Sequence, residues 1–280
     1  MDEVIKKQLQ KIAVNVRMGV LTGTFHAKSG HPGGSLSIVE LLVYLYFHKM
    51  QVNAENPEDE NRDRFVLSKG HTAPALYAVL AEKGFFDKLE LEKLRHIGAM
   101  LQGHPCIQTT GIDMSSGSLG QGISCACGMA LAGKLNQKNY HVYTVLGDGE
   151  IEEGQVWEAA MFASHYNLNN LTAIIDNNGL QIDGKITEVC SPEPIDEKFK
   201  AFGWHVIIID DAHDFDKIDK AFAEAESIKN KPVAIIQKSV KGKGVSFMEN
   251  QVSWHGVAPN AEQYEQAMNE LKIALAELEA

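Results

Sequence analysis

Cysteine is scarce in this chain. Cys106, Cys125, Cys127 and Cys190 are the only four in 280 residues, too few and too irregularly spaced for a disulfide framework. The CAC pair, Cys125 and Cys127, finds no further ligands to complete a metal site, and both residues are expected to be small packing groups. Basic side chains are also in the minority, 26 against 37 acidic ones, a formal net charge of −11. That balance argues against a protein that clamps nucleic acid or an anionic membrane surface, while leaving room for a small anion held locally. There is no apolar run of about 18 residues and no N-terminal signal pattern, so the chain is expected to be soluble and cytoplasmic. Repeats, low-complexity tracts and Pro/Ser-rich linkers are missing as well, and one domain over 1–280 is the simplest organisation.

What is present is ample apolar material, 44% of the residues, distributed in two kinds of pattern. Ile5, Leu9, Ile12, Val16 and Val20 recur at steps of three and four and predict a long N-terminal helix that ends near SGHPGG. Ser35 or Ser37 is expected to cap a second, buried helix, SIVELLVYLYFHKM. QVNAENPEDENRDR reads as an exposed connection, FVLSKGH as a short strand, TAPALYAVLAEKG as a helix stopped by Gly84, and DKLELEKLRHIGA as another helix. ISCACGMALAGKLN offers small residues at helical spacing. From VYTVL onward strands and helices alternate: EEGQVWEAAMFASHYN, LTAIIDN, WHVIIID and PVAIIQKS, with AEQYEQAMNELKIALAEL as a terminal helix. Short β-branched runs separated by helices predict an α/β fold, a parallel sheet with helices on both faces.

In such sheets ligands bind beyond the carboxyl ends of the strands, and GDG, residues 147–149, falls at one of them. Gly147 and Gly149 let the backbone approach a ligand, and the helix that follows directs amides at a phosphate. Asp148 would repel that phosphate unless a cation lay between them, which suits a carboxylate ligand to Mg²⁺ or Ca²⁺. Thirty residues on, one helix and one parallel strand later, the chain reaches Asn177 and Asn178. Asn178 offers an amide oxygen and Leu180 a backbone carbonyl to complete a hard-cation site.

GDG followed by NN at this spacing resembles the thiamine-diphosphate fingerprint. SGHPGG, DRFVLSKGH, GHP, SGSLGQG, GDGEIEEGQVWEA, AFGWHVI, KGKG and SWHG, in that order, resemble the N-terminal, pyrophosphate-binding part of transketolase over nearly the whole chain. The resemblance implies the thiamine-diphosphate-binding fold. It also implies two cofactors, thiamine diphosphate and Mg²⁺ (with Ca²⁺ or Mn²⁺ as substitutes), and transfer of a two-carbon ketol unit from a ketose phosphate to an aldose phosphate.

By the same resemblance His31, His104 and His255, all beside glycine or proline, would line donor and acceptor oxygens. His71 would stand near the diphosphate and the reacting carbon, imidazoles being suited to proton exchange near neutral pH. Gly117, Ser118 and Leu119 match a loop against the cofactor, Gly149 lies against the diphosphate, and Lys241 in KGKG matches a cofactor or loop contact. Gly34 leaves only backbone where some relatives place a side chain. Glu152 and Glu153 suit a helix N-terminus by charge alone; the resemblance further implies that Glu153 sits at a subunit interface near the carboxylate that activates the cofactor.

Familiar transketolases are more than twice this length, and the pyrimidine-binding and C-terminal domains are not in this sequence. The resemblance therefore implies a split enzyme, inactive alone, whose partner chain carries the pyrimidine-binding half, as a heterotetramer with two copies of each chain. Two rivals share the GDG signature: a ketol transferase for an unusual sugar, such as a branched pentose, and the α-subunit of a two-oxoacid dehydrogenase. The His31, His104 and WHG set favours sugar phosphates over oxoacids. A third, non-enzymatic reading, a scaffold that lost catalysis, sits poorly with intact candidate metal ligands and histidines.

Overall fold

The computed structural model describes residues 1–280. Helix α1 spans Glu3–Ala27. Asp2 caps it by accepting from the amides of Val4 and Ile5, and Lys28, at φ 50°, ends it. The SGHPGG turn follows and runs directly into α2, Pro32–Leu36.

The expected second helix forms, but it starts two residues later than predicted and ends as a π-helical turn. α2 ends at Leu36, α3 covers Val39–Tyr44, and a π-helical turn covers Leu45–Lys49. Neither serine caps a helix: Ser35 Oγ donates to the His31 carbonyl at 2.7 Å, and Ser37 Oγ to the Asp176 carboxylate at 2.7 Å. The two-residue gap between α2 and α3 turns Ser37 toward the sheet's end, which a serine capping α3 would not do.

Strand β1, Arg64–Leu67, leads through a 3₁₀ turn into α4, Ala73–Lys83, which Gly84 stops in the left-handed conformation. DKLELEKLRHIGA does not form the predicted α-helix. It is 3₁₀ over Lys88–Lys93 and then turns, because Leu91 and Leu94 insert against Gly19 and Gly23 of α1 and Arg95 takes φ 62°. Then come α5, Gln121–Leu135; β2, Val142–Gly147; α6, Gly154–His165; and β3, Leu171–Asn177. A small antiparallel hairpin, β4 Leu180–Gln181 and β5 Gly184–Lys185, precedes α7 Ile186–Val189 and α8 Ile195–Ala201. The chain closes with β6 His205–Ile209, α9 Phe215–Ser227, β7 Val233–Lys238 and α10 Ala261–Glu279, the last opened by a capping box of Asn260 and Gln263.

Five strands form one parallel sheet in the order β1-β2-β3-β7-β6. Successive side chains alternate between its faces. Phe65, Leu67, Tyr143, Val145, Ile174 and Ile235 join the apolar residues of α1, α3, α4 and α9. Val66, Leu146, Ala173, Ile175 and Ile236 join those of α5, α6 and α8 on the other face. Both faces are thus sealed, and the open ground is at the strand ends. Cys127 is buried against the Ala159 carbonyl as a packing residue, but Cys125 is exposed, since α5 turns it outward. No helix is long and apolar enough to cross a membrane.

Candidate active site

The carboxyl ends of β1, β2, β3 and β7 open on a cavity of about 300 Å³. Its walls include His31, His71, Gly117, Leu119, Asp148, Gly149, Asn178, Leu180, Lys241 and His255, residues scattered over more than two hundred positions of sequence. Ser118, Glu153 and His104 do not line it. Glu153 is exposed, at the N-cap of α6 without a side-chain cap bond. His104 is exposed but adjoins the cavity, because Gly117, held at φ 155°, brings its backbone against that ring; a Cβ there would lie 3.2 Å from it.

Asp148 is 3% exposed. Each of its oxygens accepts one amide, from Gly149 at 2.9 Å and from Gly179 at 2.6 Å. Burial, with the like charge of Asp176 behind it, pushes its carboxyl up to about 6. A carboxylate so held is short of positive charge and retains lone pairs for a cation. Asn178 Oδ1 accepts from the Leu180 amide at 3.1 Å, and the Leu180 carbonyl accepts from Lys241 Nζ at 3.0 Å. No group of three or more His, Cys, Asp or Glu side chains could hold a metal. A cation here would therefore take a carboxylate, an amide oxygen and a carbonyl, the all-oxygen set that hard divalent ions prefer.

Three histidines meet over this floor. The His71 and His255 rings stack with centroids 5.3 Å apart, and His31 stands edge-on to both, at 5.1 and 5.5 Å. Burial, then neighbouring positive charges, holds His31 down to about 4 and His255 to about 3, and burial keeps His71 well below its usual value. All three are neutral at pH 7. Lys241 Nζ donates to His255 Nδ1 at 2.8 Å, which leaves the proton of that ring on Nε2. His31 Nδ1 is buried without a partner, an orphan that a ligand hydroxyl would satisfy.

Three further residues on which the cavity depends stand outside the roles that the motifs assign. Lys69, in FVLSKGH, lines it and forms an ion pair with Asp176. Asp176, at the end of LTAIID, also accepts from Ser37, Ser239 and Asn178. Burial pushes its carboxyl up, but Lys69 and the hydroxyl donors together bring it below the usual range. Glu150, just past GDG, accepts from Ser68 Oγ and from the amides of Gly120 and Gly147, so that three loops share one carboxylate. A charged residue closing an otherwise apolar strand was the available signal for Lys69 and Asp176.

Residues 9–276 match the family described as transketolase, thiamine diphosphate binding domain. The chain is 43% identical over 255 residues to one of the subunits of the apulose-4-phosphate transketolase of Phocaeicola vulgatus, covering 91% of this chain and 90% of that one. It is 48% identical over 244 residues to a 6-deoxy-6-sulfo-D-fructose transketolase subunit from a Clostridium species, covering 87% and 88%. Human transketolase is 43% identical over 271 residues, which are 96% of this chain and 43% of that one. The solved transketolase of Campylobacter jejuni superposes with a TM-score of 0.86 at 30% identity, over the whole of this chain and 48% of that one. The chain therefore belongs to the transketolase family, as its N-terminal, thiamine diphosphate binding part.

Proposed function

We propose that this chain is the pyrophosphate-binding subunit of a split transketolase. In this reading residues 1–280 form one pyrophosphate-binding module, and a separate chain supplies the pyrimidine-binding half across an interface that includes Glu153. The assembly holds two copies of each chain and moves two-carbon ketol units between sugar phosphates in the cytoplasm, a compartment that suits four free thiols. The observation that carries it is the convergence of Asp148, Asn178, Leu180 and Lys241 with three neutral histidines around one cavity. Subunit-type relatives matched along nearly their whole length support the division into two chains.

Asp148, Asn178 and the Leu180 carbonyl would hold Mg²⁺. Lys241, Gly149, Gly117 and Leu119 would hold the thiamine diphosphate whose charge that ion offsets. When bound, the cofactor supplies a carbanion to attack a ketose carbonyl and a sink for the electrons of the broken carbon–carbon bond. The chain's own residues govern the protons. Neutral His31, with its free Nδ1, can take a proton from a sugar hydroxyl as the bond breaks and return it to the acceptor's oxygen. His255, with its proton fixed on Nε2 by Lys241, presents a donor to the same oxygens. His71, stacked on His255, faces the diphosphate side, and His104 guards the outer rim.

A mixture of this chain with a pyrimidine-binding partner, thiamine diphosphate and Mg²⁺ is expected to make sedoheptulose 7-phosphate from xylulose 5-phosphate and ribose 5-phosphate. The mixture should lose that activity in Asp148→Ala. A stable, cofactor-loaded complex that transfers no ketol unit from any ketose would overturn the proposal. A second reading, transfer from an unusual sugar, is favoured by the names of the two subunit-type relatives. Apulose 4-phosphate and 6-deoxy-6-sulfo-D-fructose therefore belong in the same donor panel.

A further inference from the structure

The turn that carries Lys241, residues 240–244, is gripped from two sides. The backbone amide of Val240, just before Lys241, donates to His213 Nε2 at 2.9 Å. The carbonyl of Lys243, two residues after it, accepts from Arg17 Nε at 2.9 Å. Both grips end on one carboxylate: His213 Nδ1 lies 2.9 Å from Glu40 Oε2, and Arg17 Nη2 donates to Glu40 Oε1. Arg17 comes from α1, Glu40 from α3 and His213 from the loop between β6 and α9, so the three meet only in the folded chain.

The hydrogen bonds fix the protons. Because His213 Nε2 accepts from an amide, the proton of that ring is on Nδ1 and is donated to Glu40. Burial pushes the Glu40 carboxyl up, but Arg17 and His213 together bring it down to about 2, so it is ionised and accepts from both neighbours. The fit is close. Gly244 has φ 88°, and a Cβ there would sit 2.6 Å from Arg17 Nε. The Arg17 and Glu40 side chains are only 6% and 8% exposed. An ion pair buried so deeply gains little over apolar packing, and a role in placement accounts for it better than stability does.

What the two grips place is the Lys241 amine. Lys241 is 1% exposed, and its Nζ donates to the Leu180 carbonyl at 3.0 Å and to His255 Nδ1 at 2.8 Å, both partners lying in the cavity wall. An ammonium on a flexible four-carbon stem has no fixed position of its own. Where it points depends on where the backbone of its turn is held.

We propose that Arg17, Glu40 and His213 are positioning residues for Lys241: Glu40 orients the other two, and they hold the turn so that the amine meets the cofactor's diphosphate and keeps the His255 proton on Nε2. None of the three lines the cavity, so each acts through Lys241. The inference rests on the diphosphate-binding reading of the site.

Two measurements separate this role from plain stability and from the transketolase reading. On the full chain alone, a short pulse of acetic anhydride followed by peptide mass spectrometry reads how well each lysine amine is shielded. Lys241 should be protected, and so should Lys69, which is 2% exposed but bound to Asp176. Glu40→Gln sets a donor against a donor; His213→Phe removes the acceptor for Val240, keeps the Arg17–Glu40 pair and serves where Glu40→Gln does not fold. Each should raise acetylation of Lys241 about tenfold or more, with Lys69 changed by less than about twofold. Exposure of both lysines together, or continued protection of both, would overturn the proposal. In the assembled enzyme with Mg²⁺, His213→Phe should weaken thiamine diphosphate binding in equilibrium dialysis roughly 5- to 50-fold. In a Lys241→Ala background the same change should cost less than about twofold, because the group it places is gone. Equal losses with and without Lys241 would make His213 a residue of the fold alone and sink the proposal. Selective exposure of Lys241 in a complex that transfers no ketol unit would uphold the positioning role and sink the transketolase reading. Ketol transfer with Lys241 shielded in both variants would do the reverse.

Discussion

Lys69 and Asp176 stand 107 residues apart in the sequence and form a buried ion pair beneath the cavity, their exposures 2% and 0%. Removing one partner leaves the other charge uncompensated in a dry place, which typically costs about 3–5 kcal/mol. Lys69→Met is expected to destabilise by about that amount in urea unfolding. The double variant Lys69→Met/Asp176→Asn should lose less than the sum of the two single changes, because it leaves no orphan charge. Strict additivity would mean that the pair does not act as a unit.

Glu150 is 3% exposed and accepts from one hydroxyl and two amides of three different loops. Glu150→Gln turns one acceptor oxygen into a donor facing donors. A loss of about 2–4 kcal/mol is expected, with weaker retention of diphosphate because the GDG turn is no longer pinned. Unchanged urea midpoints would show that another acceptor replaces the carboxylate.

The histidine cluster makes the empty chain acid-sensitive. In the folded state burial first, and then Arg95, Lys241 and Lys69, hold His31 to about 4 and His255 to about 3, against 6.5 for a free imidazole. The unfolded chain takes up protons near 6.5 and the folded chain does not. Stability that is complete above pH 6.5 is therefore lost progressively as pH falls toward 4. Urea midpoints at pH 7.5 and 5 should differ, and His31→Asn should flatten the difference. Parallel slopes in both proteins would assign the acid sensitivity elsewhere.

Gly122 opens the first turn of α5 where it crosses the end of β1. A Cβ there would lie 2.5 Å from Ser68 Oγ and 2.6 Å from Ser68 Cα. Since backbone cannot yield as a flexible side chain does, Gly122→Ala is expected to cost about 1–3 kcal/mol or to leave the chain insoluble. Wild-type stability in that variant would mean that α5 shifts freely on the sheet.

Much of the architecture follows from local pattern. The period-three-and-four stripe of α1, the stop at Gly84 and the five β-branched runs each became the element they predict, because both faces of a parallel sheet must be apolar. The failures share a cause. DKLELEKLRHIGA has helical spacing, but Leu91 and Leu94 gain more by entering α1's glycine notches than by continuing a helix. SIVELLVYLYFHKM starts without the predicted serine cap because Ser37 is drawn to Asp176, a partner 139 residues away.

The sequence by itself determined the layered α/β fold, the place of the GDG turn at a strand end and the list of candidate histidines and oxygen donors, since periodicity, glycine spacing and side-chain chemistry are local properties. Only the tertiary structure decided which of these residues share a cavity. It alone paired Lys69 with Asp176, made Glu150 the tie between three loops, silenced the charge of the histidines by burial and joined Arg17 to His213 through Glu40. Electrostatic roles depend on distance and on exclusion of water, and neither is defined until the chain has closed on itself.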